Sequence, residues 1–303
     1  MVDEVLASLN CKSGGTYVDG TVGGAGHAYE ILAKSAPDGL LIGIDCDAEA
    51  LGAAAERLRS FGSRSILVKG DYADIAGILA GLEVKRVDGI IFDLGVSSHQ
   101  LETASRGFSF TREAPLDMRM DCGLGYTAYD LVNKAAEREL ENIIRDYGEE
   151  KMARRIARAI VKKRAIAPIA TTTELAALVA RTVPFTQGRR AVHPATRTFQ
   201  AIRIAVNNEL ERLPEAIKAG IEVLTGGGRF SIISFHSLED RIVKNEFRRW
   251  ERDCLCPPKM PVCTCQQKAL IRVVTKKPLR PGPAEVAANP RARSASLRTA
   301  ERI

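Results

Sequence analysis

The sequence lacks any run of about 20 uncharged apolar residues, which is the length that a membrane-spanning helix requires. It also lacks a basic leader, because its first six residues include two acids, Asp3 and Glu4. No internal repeat is visible. These absences exclude an integral membrane protein and predict a location in the reducing cytoplasm, where the seven cysteines are thiols or metal ligands.

Apolar residues are nevertheless plentiful enough to build a core. They make up 45% of the 303 residues, and charged residues make up 27%. This composition excludes disordered and collagen-like chains. The length exceeds what one compact core usually needs, so we expect two domains, or one domain with a large insertion.

Positive charge is scarce in the first third of the chain. Residues 1–100 hold 8 Lys and Arg against 14 Asp and Glu, whereas residues 101–303 hold 36 against 23. An acidic first part favours a small neutral or cationic ligand, and a basic remainder favours a polyanion such as RNA. A basic surface that only aids solubility is the alternative.

The first hundred residues alternate β-branched runs with Ala- and Leu-rich helical patterns, which is typical of a parallel sheet with crossover helices. Helices are predicted over residues 26–35, 47–60 and 73–80. The predicted strands are Thr16–Val18, Leu40–Ile44, Ser65–Val68 and Val87–Phe92.

From about residue 103 to residue 190 the periodic segments are helical, and Thr171 and Glu174 are spaced as a capping box. A long helix over 195–213, a strand near Gly228–Phe235 and a helix near Leu238–Arg252 follow. Leu270–Thr275 and Ser296–Ala300 are predicted as final antiparallel strands, and 278–290 as a loop. We therefore predict an α/β sheet, residues 1–103 and 191–303, interrupted by a mainly helical domain, residues 104–190.

A glycine-rich turn follows the first strand and reads Asp19-Gly20-Thr21-Val22-Gly23-Gly24-Ala25-Gly26-His27. Glycines let a backbone turn tightly and approach a ligand, and the amides that begin the next helix face that ligand. The turn lacks the G-x-G-x-x-G spacing of dinucleotide sites. With its opening acid, it resembles the nucleotide loop of class I S-adenosylmethionine methyltransferases. A purely structural turn is the alternative.

Polar residues also follow the second and third strands. Asp45 ends the second strand, where a carboxylate can accept hydrogen bonds from both ribose hydroxyls. Asp71 and Tyr72 can place a polar group and a ring beside an adenine. A surface acid and an ordinary helix N-cap are the alternatives. An acidic segment without a pyrophosphate fingerprint favours S-adenosylmethionine, a cation without phosphate, over NAD.

The fourth strand ends at Asp93, with Ser97 and Ser98 close behind it. An exocyclic amine conjugated with its ring is a poor nucleophile, and a carboxylate that accepts its N–H restores lone-pair density for attack on a methyl group. Asp93 is therefore the predicted catalytic acceptor, with Ser97 and Ser98 as polar partners. The alternative is that Asp93 only caps the turn and contacts the cofactor.

Several long segments together resemble the MraW family of bacterial ribosomal RNA methyltransferases over almost the whole chain. They are Asp19–His27, Asp93–Leu101, Arg106–Phe110, Pro115–Asp121, His193–Asn207, Ser231–Lys244 and Asn289–Arg293. The resemblance implies an S-adenosylmethionine-dependent enzyme that methylates the exocyclic N4 amine of one cytidine in the decoding region of 16S ribosomal RNA. It implies cofactor contacts for Ala25, Gly26, His27, Asp45, Tyr72, Asp93 and Gln100. Gly24 of the glycine-rich turn is a further predicted cofactor contact.

The implied partner is 16S ribosomal RNA or the small ribosomal subunit, and the oligomeric state stays open, a homodimer included. A basic stripe for phosphate is predicted on the helix Glu149–Arg164, opposite Met152, Ile156 and Ile160. A solvated helix face is the alternative. The predicted RNA-binding residues are Lys151, Arg154, Arg155, Arg158, Arg189, Arg190 and Arg197, with Lys162, His193 and Arg203 beside them.

Phe108 and Phe110 are candidates to stack on a flipped base, or else core anchors. Asp117, with Arg119 and Asp121, is a candidate for the base pocket, with capping and ion pairing as the alternative. Four cysteines in twelve residues could form a zinc site, but we expect reduced thiols without metal and without a catalytic role; they are Cys254, Cys256, Cys263 and Cys265.

Two other functions remain open at this point. One is a nucleotide-dependent dehydrogenase of similar fold, which would bind NAD. The other is a non-enzymatic RNA-binding module, which would not need the Asp93 carboxylate.

Overall fold

The computed structural model describes residues 1–183, 193–254, 256, 264–265 and 267–303. They form two compact units, the first made of Met1–Gly95 and Leu210–Ile303, the second of Val96–Glu209. The second unit extends further at both ends than the predicted insertion, 104–190. The reason at the C-terminal end is packing, because Phe199 and Ile202 belong to the apolar core of the second unit.

The helices and strands follow one another along the chain in a regular alternation at first. The helices are α1 (Val2–Leu9), α2 (Gly26–Lys34), α3 (Ala48–Leu58), α4 (Ile75–Gly81), α5 (Ser98–Glu102), α6 (Ala128–Lys134), α7 (Glu137–Asp146), α8 (Ala153–Arg164), α9 (Thr172–Thr182), α10 (Thr196–Asn207), α11 (Glu209–Val223), α12 (Ser237–Trp250) and α13 (Pro283–Ala288). The strands are β1 (Thr16–Asp19), β2 (Leu40–Asp45), β3 (Ser65–Lys69), β4 (Val87–Asp93), β5 (Leu224–Ser234), β6 (Ile271–Val273) and β7 (Ser296–Arg302).

The strands of the first unit pair, within the described residues, into one seven-stranded sheet of order β3-β2-β1-β4-β5-β7-β6. Strands β1 to β5 pair in parallel, and β7 pairs antiparallel with both β5 and β6. This arrangement confirms the predicted α/β, Rossmann-like sheet of the class I methyltransferase type, including its antiparallel last strands.

Both faces of the sheet are covered, as the continuous apolar runs of its strands require. Ile90 and Phe92 of β4 belong to one apolar cluster and Ile91 to another, because alternate strand residues face opposite sides. Helices α4, α11 and α12 supply the first cluster, and α1, α2 and α3 the second. Side chains at the ends of the strands are thereby held on a rigid frame.

The predicted long helix over 195–213 is wrong in one respect, since it is two helices. Helix α10 ends at Asn207, its C-cap Asn208 adopts the left-handed conformation with φ 52° and ψ 34°, and α11 begins at Glu209. Asn is one of the few residues other than Gly that tolerate this conformation. The apolar period runs across the break, so the sequence pattern hides it. The predicted loop over 278–290 also contains the short helix α13.

The second unit is mainly helical, as predicted. Its core includes Leu131, Ile144, Ile156 and Leu175, one from each of four helices. The predicted capping box is confirmed, because Oγ1 of Thr171 accepts a hydrogen bond from the backbone N of Glu174 at 3.2 Å. Among all described residues, no helix combines the length and apolar character needed to cross a membrane.

Candidate functional site

Acidic side chains lie at the carboxyl ends of neighbouring parallel strands in the first unit. Asp19 ends β1, Asp45 ends β2 and Asp93 ends β4, while Asp71 follows β3. The strand order places these ends along one edge of the sheet. Open α/β sheets bind ligands in the crevice at this edge. The predicted cofactor and catalytic acids of this unit therefore share one edge.

The glycine-rich turn is fixed at its base and open at its tip. The backbone N of Val22 donates to the carbonyl of Ile44 at 3.0 Å, which ties the turn to β2. Ala25 adopts φ 57° at the start of α2. A Cβ added to Gly24 or to Gly26 would meet no atom within 4 Å. The predicted ligand-facing residues thus border free space within the unit.

Gly20 is required where the turn leaves β1. A Cβ at this position would lie 2.2 Å from the ring of Phe92, closer than any real contact. Phe92 in turn packs against Tyr72 with ring centroids 5.0 Å apart. The absence of a side chain at Gly20 therefore allows the Phe92 and Tyr72 rings to pack beside the turn. Tyr72 follows the third strand, as predicted.

Asp45 holds the turn in place. Its Oδ2 accepts a hydrogen bond from the backbone N of Gly23 at 2.9 Å, and its Oδ1 accepts one from Asp47 at 2.9 Å. Burial raises the pKa of Asp45, and these amide hydrogen bonds oppose the rise. Each carboxylate oxygen has two lone pairs, so Asp45 can brace the turn and still accept a ligand hydroxyl.

The side chains of Asp93 and His27 are paired at this edge of the sheet. Oδ2 of Asp93 lies 3.5 Å from Nε2 of His27. The backbone N of Asp93 donates to Oγ1 of Thr21 at 2.6 Å. Oδ1 of Asp93 and Nδ1 of His27 are buried, and neither has a hydrogen-bond partner among the described residues. The Asp93 side chain therefore does not cap the turn, contrary to the alternative.

Asp19 is a buried acid that sequence reasoning noted only as the opening residue of the turn. It is 2% exposed, and its Oδ1 accepts the backbone N–H of Thr21 at 3.1 Å. Burial raises the pKa of Asp19 to about 7, with nearby His27 opposing the rise. Burial also opposes protonation of His27, yet pairing with Asp93 and the charge of Asp19 leave the pKa of His27 raised.

Three predicted site residues of the second unit lie at the start of α5. Oγ of Ser97 accepts from the backbone N of Gln100 at 3.2 Å, and Oε1 of Gln100 accepts from the backbone N of Ser97 at 3.0 Å. Ser98 is the first residue of the helix. Ser97 and Gln100 thus make a capping box, a local structural role that their spacing in the sequence already encodes.

Asp117 is engaged by an arginine fork within its own loop. Oδ1 accepts from Nε of Arg119 at 2.8 Å and Oδ2 from Nη2 at 2.7 Å. Burial opposes ionisation of Asp117, but these hydrogen bonds outweigh it and lower the pKa. Phe108 and Phe110 pack in or against the core of the unit, so they are the core anchors of the alternative.

The predicted basic stripe of α8 faces solvent within the second unit. Ile156 and Ile160 are buried, whereas the basic residues of the opposite face are exposed. Arg203 is paired with Glu209 at 2.8 Å. Arg189 and Arg190 lie outside the described residues. The exposed predicted RNA-binding residues are Lys151, Arg154, Arg155, Arg158 and Arg197.

Known proteins match this chain along its full length. The model of the MraW methylase family matches residues 1–303. Ribosomal RNA small subunit methyltransferase H of Syntrophus aciditrophicus is 59% identical over 303 residues, covering 100% of this chain and 96% of that protein. The proteins of the same name from Syntrophotalea carbinolica and Trichlorobacter lovleyi are 54% and 53% identical, over 100% and 99% of this chain and 96% of each relative.

Proposed function

This chain belongs to the MraW methylase family, and we propose that it transfers a methyl group from S-adenosylmethionine to the exocyclic N4 amine of one cytidine in the decoding region of bacterial 16S ribosomal RNA. The relatives that carry the name of a small-subunit ribosomal RNA methyltransferase cover almost the whole chain at 53 to 59% identity. Family membership rules out the dehydrogenase alternative.

The edge of the first unit fits the methyl donor. S-adenosylmethionine supplies, when bound, a methyl group activated by a neighbouring sulfonium cation. The free space at Gly24 and Gly26 suits close approach of a ligand to the backbone. The acids at the strand ends suit a cation. We assign donor binding to Gly24, Ala25, Gly26, His27, Asp45, Tyr72, Asp93 and Gln100.

One observation carries the chemistry, namely the Asp93 carboxylate at the end of β4, whose side chain remains 34% exposed while His27 contacts its Oδ2. An acceptor of this kind takes the N–H of the amine, frees its lone pair and orients it for in-line attack. His27, paired with Oδ2, holds the carboxylate in place. Asp93 is then the catalytic residue, and His27 positions it.

The residues of the second unit receive supporting roles. Ser97 and Ser98 act through the start of α5, where Ser97 is the N-cap. Asp117 has a structural role in its loop, because its carboxylate is held by Arg119. Lys151, Arg154, Arg155, Arg158 and Arg197, together with Arg189 and Arg190, contact RNA phosphates. Such contacts fix the register of the RNA and do not select the base.

Methyl transfer by the purified chain tests this proposal. Tritium-labelled S-adenosylmethionine is offered with naked 16S ribosomal RNA in one arm and with small ribosomal subunits in another, both from cells lacking the enzyme. We expect label in a single N4-methylcytidine, identified by nuclease digestion and mass spectrometry. Label on another base or another ring position would overturn the assignment to N4 of cytidine.

A further inference from the structure

Three cysteines converge between the end of α12 and strand β6 in the first unit. The Sγ atoms of Cys254, Cys256 and Cys265 all lie within 4.8 Å of one another. Those of Cys254 and Cys265 are 3.8 Å apart, far beyond the roughly 2.05 Å of a disulfide. Cys263, the fourth cysteine of this stretch of the sequence, lies outside the described residues, so the other three define the cluster, for which the sequence predicted thiols without metal.

Core packing does not explain this convergence. Cys254 and Cys265 are exposed and Cys256 is only half-buried, whereas cysteines that behave as small apolar residues are usually buried. Hydrogen bonds instead join the residues at the end of α12 to those just before β6. The backbone N of Leu270 donates to the carbonyl of Trp250 at 2.9 Å, and that of Ala269 donates to the Asp253 carboxylate at 3.1 Å.

The distance between the Sγ atoms matches the distance between two thiolates bound to one zinc ion. Zinc bound by thiolates at about 2.3 Å in a tetrahedron holds its sulfurs about 3.8 Å apart. The separation of Cys254 and Cys265 equals this value. In a four-iron cluster each thiolate binds a different iron, so the sulfurs lie further apart. The backbone N of Cys256 also donates to Sγ of Cys254 at 3.3 Å, an outer contact typical of metal-bound thiolates.

We propose that Cys254, Cys256 and Cys265 bind a structural zinc ion. Each thiol releases its proton to solvent on coordination, and no electron is transferred. The ion ties the end of α12 to the segment that leads into the edge strand β6. This inference does not depend on the proposed methyl transfer, because the cluster contains none of the residues assigned to that reaction.

Metal analysis of the intact chain tests the inference. The protein is expressed without a histidine tag, purified without chelators and analysed by plasma mass spectrometry. We expect about one zinc per chain, as in other structural sites. Cobalt substitution should give the absorption bands of tetrahedral thiolate coordination. Zinc should be lost from a Cys254→Ser/Cys265→Ser variant and kept by Cys122→Ser, which alters an exposed cysteine of the second unit.

Loss of zinc could also follow from misfolding of the double variant. Release of zinc from the wild-type protein by a mercurial thiol reagent, followed with a chromogenic chelator, avoids that difficulty, and far-ultraviolet circular dichroism reports whether the variant folds. Absence of zinc after incubation with excess zinc salt, or a Cys254–Cys265 disulfide under reducing purification, overturns the inference. Full retention of zinc by the folded double variant does so too.

Discussion

In the first unit, Oδ2 of Asp93 lies 3.5 Å from Nε2 of His27, while Oδ1 of the same carboxylate is buried without a hydrogen-bond partner among the described residues. One oxygen is therefore committed to holding the side chain in place. The Asp93 side chain remains 34% exposed, so the carboxylate held in this way can accept an N–H from a substrate. A positioned acceptor of this kind is what methylation of a conjugated amine requires.

Replacing the Asp93 carboxylate should separate catalysis from RNA binding. In Asp93→Asn the side chain keeps its size but loses its basicity, so we expect single-turnover methyl transfer to fall by a factor of about 10²–10⁴. RNA affinity measured by filter binding should stay unchanged. Asp38→Asn, which alters an exposed acid of the same unit, is the matched control. A variant at position 93 that methylates at the wild-type rate would support the RNA-binding module instead.

The buried carboxyl of Asp19 should make stability depend on pH. Its pKa is raised by burial from 3.8 to about 7, so folding favours the neutral acid. The stabilisation that the raised pKa of Asp19 gives to the folded state is complete below pH 3.8 and is lost as the pH rises through about 7. Each unit of pKa difference between the folded and unfolded states corresponds to about 1.4 kcal/mol of unfolding free energy.

Asp19→Asn keeps the oxygen that accepts the Thr21 N–H but cannot ionise. Between pH 4 and 7, we expect the wild-type free energy of unfolding to fall relative to that of Asp19→Asn, measured by urea denaturation. Asp38→Asn should follow the wild type. Parallel curves for wild type and Asp19→Asn would show that Asp19 titrates normally in the folded protein.

A methyl group added at Gly24 should weaken donor binding without harming the fold. The new Cβ would meet no protein atom within 4 Å, so the free energy of unfolding should change little. If the ligand occupies this space, Gly24→Ala should raise the Kd for S-adenosylmethionine about tenfold or more, equivalent to about 1.4 kcal/mol. Calorimetry measures the Kd.

Gly52→Ala in α3 is the control, because its Cβ also meets open space but lies outside the turn. It should bind the donor as the wild type does. Equal affinity of Gly24→Ala and wild type would mean that the ligand does not approach this backbone.

The basic face of α8 should contribute electrostatic affinity for RNA. Each phosphate contact that is lost reduces the slope of log K against log salt by about 0.7–0.9. We expect Arg154→Ala to lower both affinity and slope. Arg59→Ala, an exposed arginine of the first unit paired with Glu56, is the charge-matched control. An unchanged slope would show that this face is only solvated.

Asp117 should prove to be structural. Asp117→Asn removes the negative charge that pairs with the Arg119 guanidinium, so we expect the free energy of unfolding to fall by about 1–2 kcal/mol. This loss is smaller than for a fully buried ion pair because the Asp117 side chain is 22% exposed. In protein that remains folded, kcat should change little. A large loss of kcat without loss of stability would instead make Asp117 catalytic.

The sheet and part of its site could be predicted because the relevant information is local. Strand periodicity marks where β2 and β4 end, and parallel strands end at one edge of a sheet, so Asp45 and Asp93 could be assigned to that edge from the sequence. The Ser97–Gln100 capping box is local too, although its structural role was not recognised.

The remaining features depend on contacts between distant residues or on a single backbone angle. The pairing of His27 with Asp93 and the burial of Asp19 arise only when β1 and β4 lie side by side. The break at Asn208 changes one residue within an unbroken apolar pattern. No period or spacing in a single sequence reports these features.

Nucleotide mapping of 16S ribosomal RNA in the source bacterium tests the central claim most directly. The RNA is isolated from cells that lack this protein and from such cells complemented with the wild-type chain or with Asp93→Asn, and it is analysed by mass spectrometry. We expect N4-methylation of one decoding-region cytidine to vanish without the protein, to return with the wild type and to stay absent with Asp93→Asn. Full methylation in cells that carry only the Asp93→Asn chain would contradict the account.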